Sequence, residues 1–207
     1  MPASLAEAAL RLKGGRGAAR RPACILPACI LIAERARLAD PGPAIAELPR
    51  GSVVILRDYG AADRAAYAAR LARLCRSRRL RLLVAGDVRL AVAVGSHGLH
   101  LPEGAARSGD RRWRLWRKPG WLVTAAAHSP LAVARARRAG VDALLLSPVF
   151  ATASHPGAAP LGPLRFAALT RRTRLPVYAL GGMTAATTLR LAGSGAAGIA
   201  AIGGFSQ

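Results

Sequence analysis

Eight short apolar runs recur along the chain, separated by stretches in which apolar residues return every third or fourth position. The runs are "ACILIAE" (Ala28–Glu34), "SVVILRDY" (Ser52–Tyr59), "RLRLLVAG" (Arg79–Gly86), "GLHLPE" (Gly98–Glu103), "WLVTAAAHS" (Trp121–Ser129), "ALLLSPVF" (Ala143–Phe150), "PVYALGGM" (Pro176–Met183) and "GIAAIGGF" (Gly198–Phe205). The patterns between them, such as "ADRAAYAARLARLCRSR" and "SPLAVARARRAG", hold arginines on one face and alanine or leucine on the other, as amphipathic helices do. Strand–helix alternation specifies parallel strands, because a parallel pair needs a crossover and a helix supplies it. Eight such units close into a (β/α)8 TIM barrel. A doubly wound open sheet has the same alternation but carries its glycine-rich phosphate loop after the first strand, and none follows "ACILIAE". The expectation is α/β, a single-domain barrel over residues 23–207, preceded over residues 1–22 by a helix and a basic linker. In "SLAEAALRLK", Ser4 and Glu7 have the spacing of a capping box.

Composition agrees with buried parallel strands. The chain is 52% hydrophobic but only 4% aromatic, so alanine and the aliphatic residues must build the core. Its formal net charge of +21 is almost all arginine, since Lys13 and Lys118 are the only lysines. Such a field attracts polyanions and phosphorylated metabolites, and it carries no information about fold. The three cysteines, Cys24, Cys29 and Cys75, form neither a disulfide framework nor a metal-binding spacing, and read as buried thiols. No apolar run reaches membrane-spanning length without a charge, and a cytoplasmic protein without membrane contact is expected.

In a barrel of this kind the chemistry sits at the C-terminal ends of the strands, and a phosphate commonly rests on the last two loops. Here Gly181 and Gly182 end the seventh apolar run, and Gly203 and Gly204 the eighth. Glycine lets backbone amides come close to an anion, and a helix starting just beyond would add favourable partial charge. The sixth run passes into "SPVFATASHPGAAPLG", where Thr152, Ser154 and His155 offer hydrogen-bond donors beside the flexible Gly157. Together these residues read as the walls of one anion pocket.

One segment breaks the rhythm. Between the fourth and fifth strands, where a helix is expected, residues 105–120 contain "DRRWRLWRK", two tryptophans among arginines with no aliphatic stripe. Its bland reading is an irregular connection with tryptophans packed on the barrel. Nucleic-acid contact by stacking and phosphate pairing is the weaker alternative.

The motifs resemble those of the thiamine phosphate synthase family and its thiazole tautomerase relatives. "SPVFATASHPGAAPLG" is similar to the family's "GPVFxTxTKxGxxPLG", and "PVYALGGM" to "PVxAIGGI"; "AVAVGSHGLHLPEG" is similar to "AxAxGADGVHLGQ", and "AAAHSPLAVARARRAGVDAL" to "SxHSxEEAxxAxxxGADYV". The resemblance implies thiamine biosynthesis and a phosphorylated thiazole or pyrimidine as ligand. By position, it implies that Thr152 and Ser154 bind the diphosphate or thiazole phosphate region, that Gly181 does so through its amide, and that Ile202 and Gly203 close the phosphate site. Arg57 matches an arginine that contacts diphosphate, and His128 a histidine that transfers protons in the tautomerases.

The departures concern the metal. The family's magnesium carboxylates fall at Gly86 and Ala105 in this chain, with Asp87 one residue and Glu103 two residues away, which puts magnesium in doubt. The loop lysine of the family becomes His155. Arg57, Arg89 and protonated His155 are candidates to neutralise a diphosphate in place of the metal, since guanidinium matches phosphate oxygens bidentately. Three activities stay open: a divergent synthase transferring the pyrimidine, a tautomerase-like isomerase using His128, and a barrel that only binds its ligand. A homo-oligomer stays open as well.

Overall fold

The computed structural model describes residues 4–14, 26–107, 111–154 and 157–205. Eight parallel strands run β1 (Cys29–Ala33), β2 (Val53–Leu56), β3 (Arg81–Ala85), β4 (Gly98–Leu101), β5 (Leu122–Ala127), β6 (Ala143–Leu146), β7 (Val177–Leu180) and β8 (Gly198–Ala201). They pair in sequence order, and β1 closes on β8 through Leu31 and Ala201. The fold is the barrel that the alternation specifies. The observed strands stop short of the apolar runs because the rim residues Val149, Phe150, Met183 and Phe205 are also buried, so burial continues where strand pairing ends.

The helices are α1 (Leu5–Gly14), α2 (Gly42–Glu47), α3 (Arg64–Ser77), α4 (Val88–Ala93), α5 (Glu103–Arg107), α6 (Pro130–Ala139), α7 (Gly162–Arg172) and α8 (Ala185–Leu189). Every residue of β1 is buried, yet period two still divides them. Ile30 and Ile32 point inside the barrel, where they pack with Val53, Ile55, Leu83, Leu145 and Tyr178, while Cys29, Leu31 and Ala33 join the layer beneath the helices. The outer layer is rich in alanine and leucine, with Ala68, Leu71, Ala72 and Cys75 facing inward from α3. Burial pushes the Cys75 thiol up to about 12, so it is inert. Cys29 is also buried, and Cys24 lies outside the described residues.

Helix α1 lies against α8 and β8, burying Leu5, Ala6 and Ala9. The Ser4 Oγ accepts from the Glu7 amide at 3.2 Å, and the Glu7 carboxylate pairs with Arg11 one turn later. The linker beyond α1 lies outside the described residues from 15 to 25.

Between β4 and β5, a full crossover helix is replaced by the five-residue α5 and a 3-10 turn over Arg112–Trp116. Trp113 packs into the core, Arg114 donates to the Ala139 carbonyl at 2.6 Å, and Arg117 reaches Asp142 at 2.8 Å. Asp142 also accepts from the Val123 amide at 2.7 Å. This segment is therefore an anchored connection, and two of its cations are engaged within the fold. Among the described residues, no helix is long and apolar enough to cross a membrane.

Candidate functional site

The C-terminal ends of β6, β7 and β8 converge on a cavity of about 230 Å³. Thr152, Ser154, Gly181, Gly182, Ile202 and Gly203 all line it, together with Arg57 from the end of β2. Thr152, Gly181 and Gly203 thus face one shared space. His155 lies outside the described residues.

Local structure explains how the walls hold. After a cis Ser147–Pro148 peptide, the Val149 and Phe150 amides donate to the Leu180 and Gly181 carbonyls, tying the β6 loop to β7. Gly181 and Gly182 have φ of 95° and 64°, in the left-handed region. A Cβ on Gly182 would meet the Ala151 carbonyl oxygen at 2.5 Å, so glycine is required both for the turn and for the close approach of the two loops. Thr152 Oγ1 accepts from the Ser154 amide at 3.3 Å, and Arg37 donates to the Ser154 carbonyl at 3.4 Å, which links the β1 loop to the β6 loop.

The helix beyond the seventh strand contributes less than the sequence suggests. Helix α8 is only five residues long, and Thr184 and Thr187 cap it reciprocally, with Thr184 Oγ1 accepting from the Thr187 amide at 3.1 Å. Thr187 also donates to the Gly182 carbonyl at 2.8 Å. The rim therefore presents loop amides, hydroxyls and Arg57 rather than a long helix dipole.

A second, smaller cavity of about 110 Å³ opens on the barrel axis and shares Arg57, Ser147 and Leu180 with the first. Its other polar walls are Tyr59, His100, Glu103 and His128. His100 is fully enclosed, with Nδ1 at 2.8 Å from Thr124 Oγ1. Burial, reinforced by the charge of Arg57, pushes its imidazole down to about 3, so it is neutral near pH 7. His100 drew no attention in the sequence; the signal was the odd histidine inside an otherwise apolar strand, "GLHL".

His128 stands at the end of β5. Its Nδ1 lies 2.9 Å from the Ser147 carbonyl oxygen and 3.0 Å from the Ser147 hydroxyl, and its Nε2 lies 3.8 Å from Glu103. A carbonyl can only accept, so Nδ1 carries the proton in the neutral ring and Nε2 is the proton acceptor. Arg57 lies 3.8 Å from Glu34 and lines both cavities.

Arg89 does not join Arg57. It lines a separate cavity on the barrel flank, because it projects from α4 rather than from a strand end. The cation nearest the end of β3 is instead Arg64, which donates to the Ala85 carbonyl at 2.5 Å and approaches Asp87 at 3.4 Å. Sequence reasoning missed it among so many arginines.

The carboxylates near the rim do not fit magnesium. Asp87 uses Oδ1 to cap α4 through the Leu90 amide at 2.9 Å and Oδ2 to meet Arg64, while Glu103 faces His128. A magnesium site wants oxygen ligands in near-octahedral order, and a carboxylate already holding a guanidinium is poorly placed to supply one. Among the described residues no group of three or more His, Cys, Asp or Glu is placed to hold a metal ion.

Comparison with known proteins agrees with this architecture. Residues 37–205 match the family described as thiamine monophosphate synthase. A protein of Aquifex aeolicus (strain VF5), provisionally named thiamine-phosphate synthase 2, is 35% identical over 75% of this chain and 83% of its own length. The thiamine-phosphate synthase of Thiobacillus denitrificans is 35% identical over 68% of this chain and 66% of its own. Among solved structures, a thiamine phosphate pyrophosphorylase from Pyrococcus furiosus superposes with a TM-score of 0.66 at 19% identity, covering 87% of this chain and 88% of that one, a likeness of fold.

Proposed function

The chain belongs to the thiamine monophosphate synthase family, and on that premise we propose that it is a transferase joining a phosphorylated thiazole to a pyrimidine that leaves its diphosphate behind. The observation that carries the proposal is that the two mouth cavities share Arg57 as a common wall. The thiazole phosphate takes the cavity of Thr152, Ser154, Gly181 and Gly203, where hydroxyls and amides surround an anion without a competing carboxylate. The pyrimidine takes the axial cavity beside neutral His100, Tyr59 and His128. The thiazole ring nitrogen then forms a bond to the exocyclic pyrimidine carbon as that carbon's bond to the diphosphate oxygen breaks, and the diphosphate departs with the electron pair.

Charge builds on the leaving oxygen, so a cation must meet it there. Arg57 is positioned for this between the two cavities, and its planar guanidinium can hold two phosphate oxygens at once. Since the nearby carboxylates suit magnesium poorly, Arg57 carries this task without the metal.

A second reading has its own observation. The Ser147 carbonyl sets the His128 tautomer so that Nε2 accepts protons beside Glu103, an arrangement suited to moving a proton within a bound thiazole.

One assay separates these readings. The purified chain is given the thiazole phosphate and the pyrimidine diphosphate, each alone and together, with magnesium or with a chelator. Coupled product that needs both substrates and survives the chelator is the expected result. Isomerised thiazole from the thiazole alone would establish the tautomerase. Product only with magnesium would overturn the arginine-only account, and no turnover with tight phosphate binding would leave a barrel that only binds.

A further inference from the structure

In the closed ring of strands, β7 and β8 stand between β6 and β1, so a contact between the β6 and β1 loops spans the two loops that floor the larger mouth cavity. Arg37 makes that contact. Its guanidinium donates through Nη2 to the Ser154 carbonyl at 3.4 Å, and Ser154 is itself a wall of the cavity. Through Nη1 it meets Glu34 at 3.3 Å, and the same carboxylate oxygen lies 3.8 Å from Arg57. One carboxylate thus stands between two guanidinium groups, which leaves a net positive charge at this edge of the mouth.

The turn that carries Arg37 is fixed by its own chain. The Arg37 and Leu38 amides both donate to the Glu34 carbonyl, at 3.0 and 2.9 Å, and Leu38 packs against the core. Arg35 is tied down beside it, since its amide donates to Asp58 at 2.8 Å and its guanidinium meets Asp63 at 2.7 Å. Two carboxylates therefore occupy Arg35 and remove it as a partner for an anion. Arg37 differs. Its contacts with Ser154 and Glu34 are long for N–H···O bonds, one acceptor is a neutral carbonyl, and the other is a carboxylate shared with Arg57. A guanidinium offers five N–H donors in a planar fork, and a phosphate dianion is a stronger acceptor than a peptide carbonyl.

We propose that Arg37 is a second phosphate-recognising residue of the mouth, supplied by the β1 turn. As a phosphate monoester enters, the Arg37 guanidinium exchanges the Ser154 carbonyl for a phosphate oxygen, while Glu34 holds Arg37 and Arg57 on the same side of the anion. The inference rests on the assignment of this cavity to the thiazole phosphate and adds a selectivity to it. Only the phosphorylated ring gains from the exchange, so Arg37 favours the ester over the free alcohol.

Ligand-observed NMR titration of the intact chain with the thiazole phosphate, and separately with the corresponding free alcohol, tests this. Arg37→Ala weakens the ester by about tenfold, the order expected for one charge-assisted bond at an exposed position, and leaves the alcohol within about twofold of wild type. Arg37→Lys recovers part of the loss, because it keeps the charge without the fork. Arg73→Ala removes an equal charge from the exposed face of α3 and leaves both affinities within about twofold. Since Arg37 and Arg73 are both exposed, thermal unfolding stays as in wild type. A wild-type chain that binds no ester would overturn the assignment of the cavity together with this inference. Normal wild-type binding that Arg37→Ala leaves unchanged overturns this inference alone. So does a loss shared equally by ester and alcohol, which would make Arg37 a brace for the β6 loop, and so does an equal loss in Arg73→Ala, which would make it one part of a general field.

Discussion

Arg57 is the residue on which the proposed chemistry turns, because it is the cation common to the proposed phosphate cavity and the axial cavity. Arg57→Ala should lower kcat by about 10² to 10³, the usual effect of losing one preorganised partner of developing charge, with Arg57→Lys recovering only part. Steady-state kinetics at saturating substrates checks this; an unchanged kcat would remove Arg57 from the mechanism. His100 makes a different kind of prediction. Its folded-state value near 3 lies below the unfolded value of about 6.5, so the unfolded chain binds the extra proton between these limits. Stability from this group is complete above pH 6.5 and is lost as pH falls, by about 2 kcal/mol at pH 5. Denaturant unfolding at pH 7 and pH 5 should show that loss in the wild type and a smaller one in His100→Gln, which keeps a hydrogen-bonding side chain but cannot protonate. Motif resemblance brought out Arg57 and His128. Arg64 and His100 were not legible, because one was an arginine among many and the other a polar residue inside a strand whose facing partner, Thr124, lies 24 positions away.

At the level of elements, three loops make the proposed phosphate cavity, and they hold together because glycines permit backbone to touch backbone. Gly182→Ala should force the loops after β6 and β7 apart, since its Cβ meets the Ala151 carbonyl oxygen and the residue has φ of 64°. The expected cost is about 2 to 4 kcal/mol, or roughly 5 to 10 °C in the melting temperature, with a raised KM for the thiazole phosphate. A melting temperature and KM equal to wild type would show that this contact does not shape the cavity. The eight strands and the order of their pairing were readable from periodicity, because strands buried on both faces write themselves as uninterrupted aliphatic runs. The short helices were harder. The five residues of α8 and the replacement of a crossover helix by a 3-10 turn depend on tertiary contacts, Thr184 with Thr187 in one case and Arg114 with Ala139 in the other.

Across the whole molecule the net charge of +21 surrounds the mouth at which we propose that phosphorylated substrates bind. A field of this sign should speed capture of a diphosphate, so kcat/KM for the pyrimidine substrate falls as sodium chloride rises while kcat changes little. A salt-independent kcat/KM would show that the arginines outside the mouth do not assist capture. Their number also concealed Arg37, since in sequence it looks no different from arginines that only solvate a helix. The most direct test of the account is a crystal structure of the chain bound to the thiazole phosphate. The phosphate is predicted to lie within hydrogen-bonding distance of the Gly181 or Gly203 amide and the Thr152 hydroxyl, with Arg57 beside the thiazole. A phosphate bound on another face, with those groups turned to solvent, would contradict it.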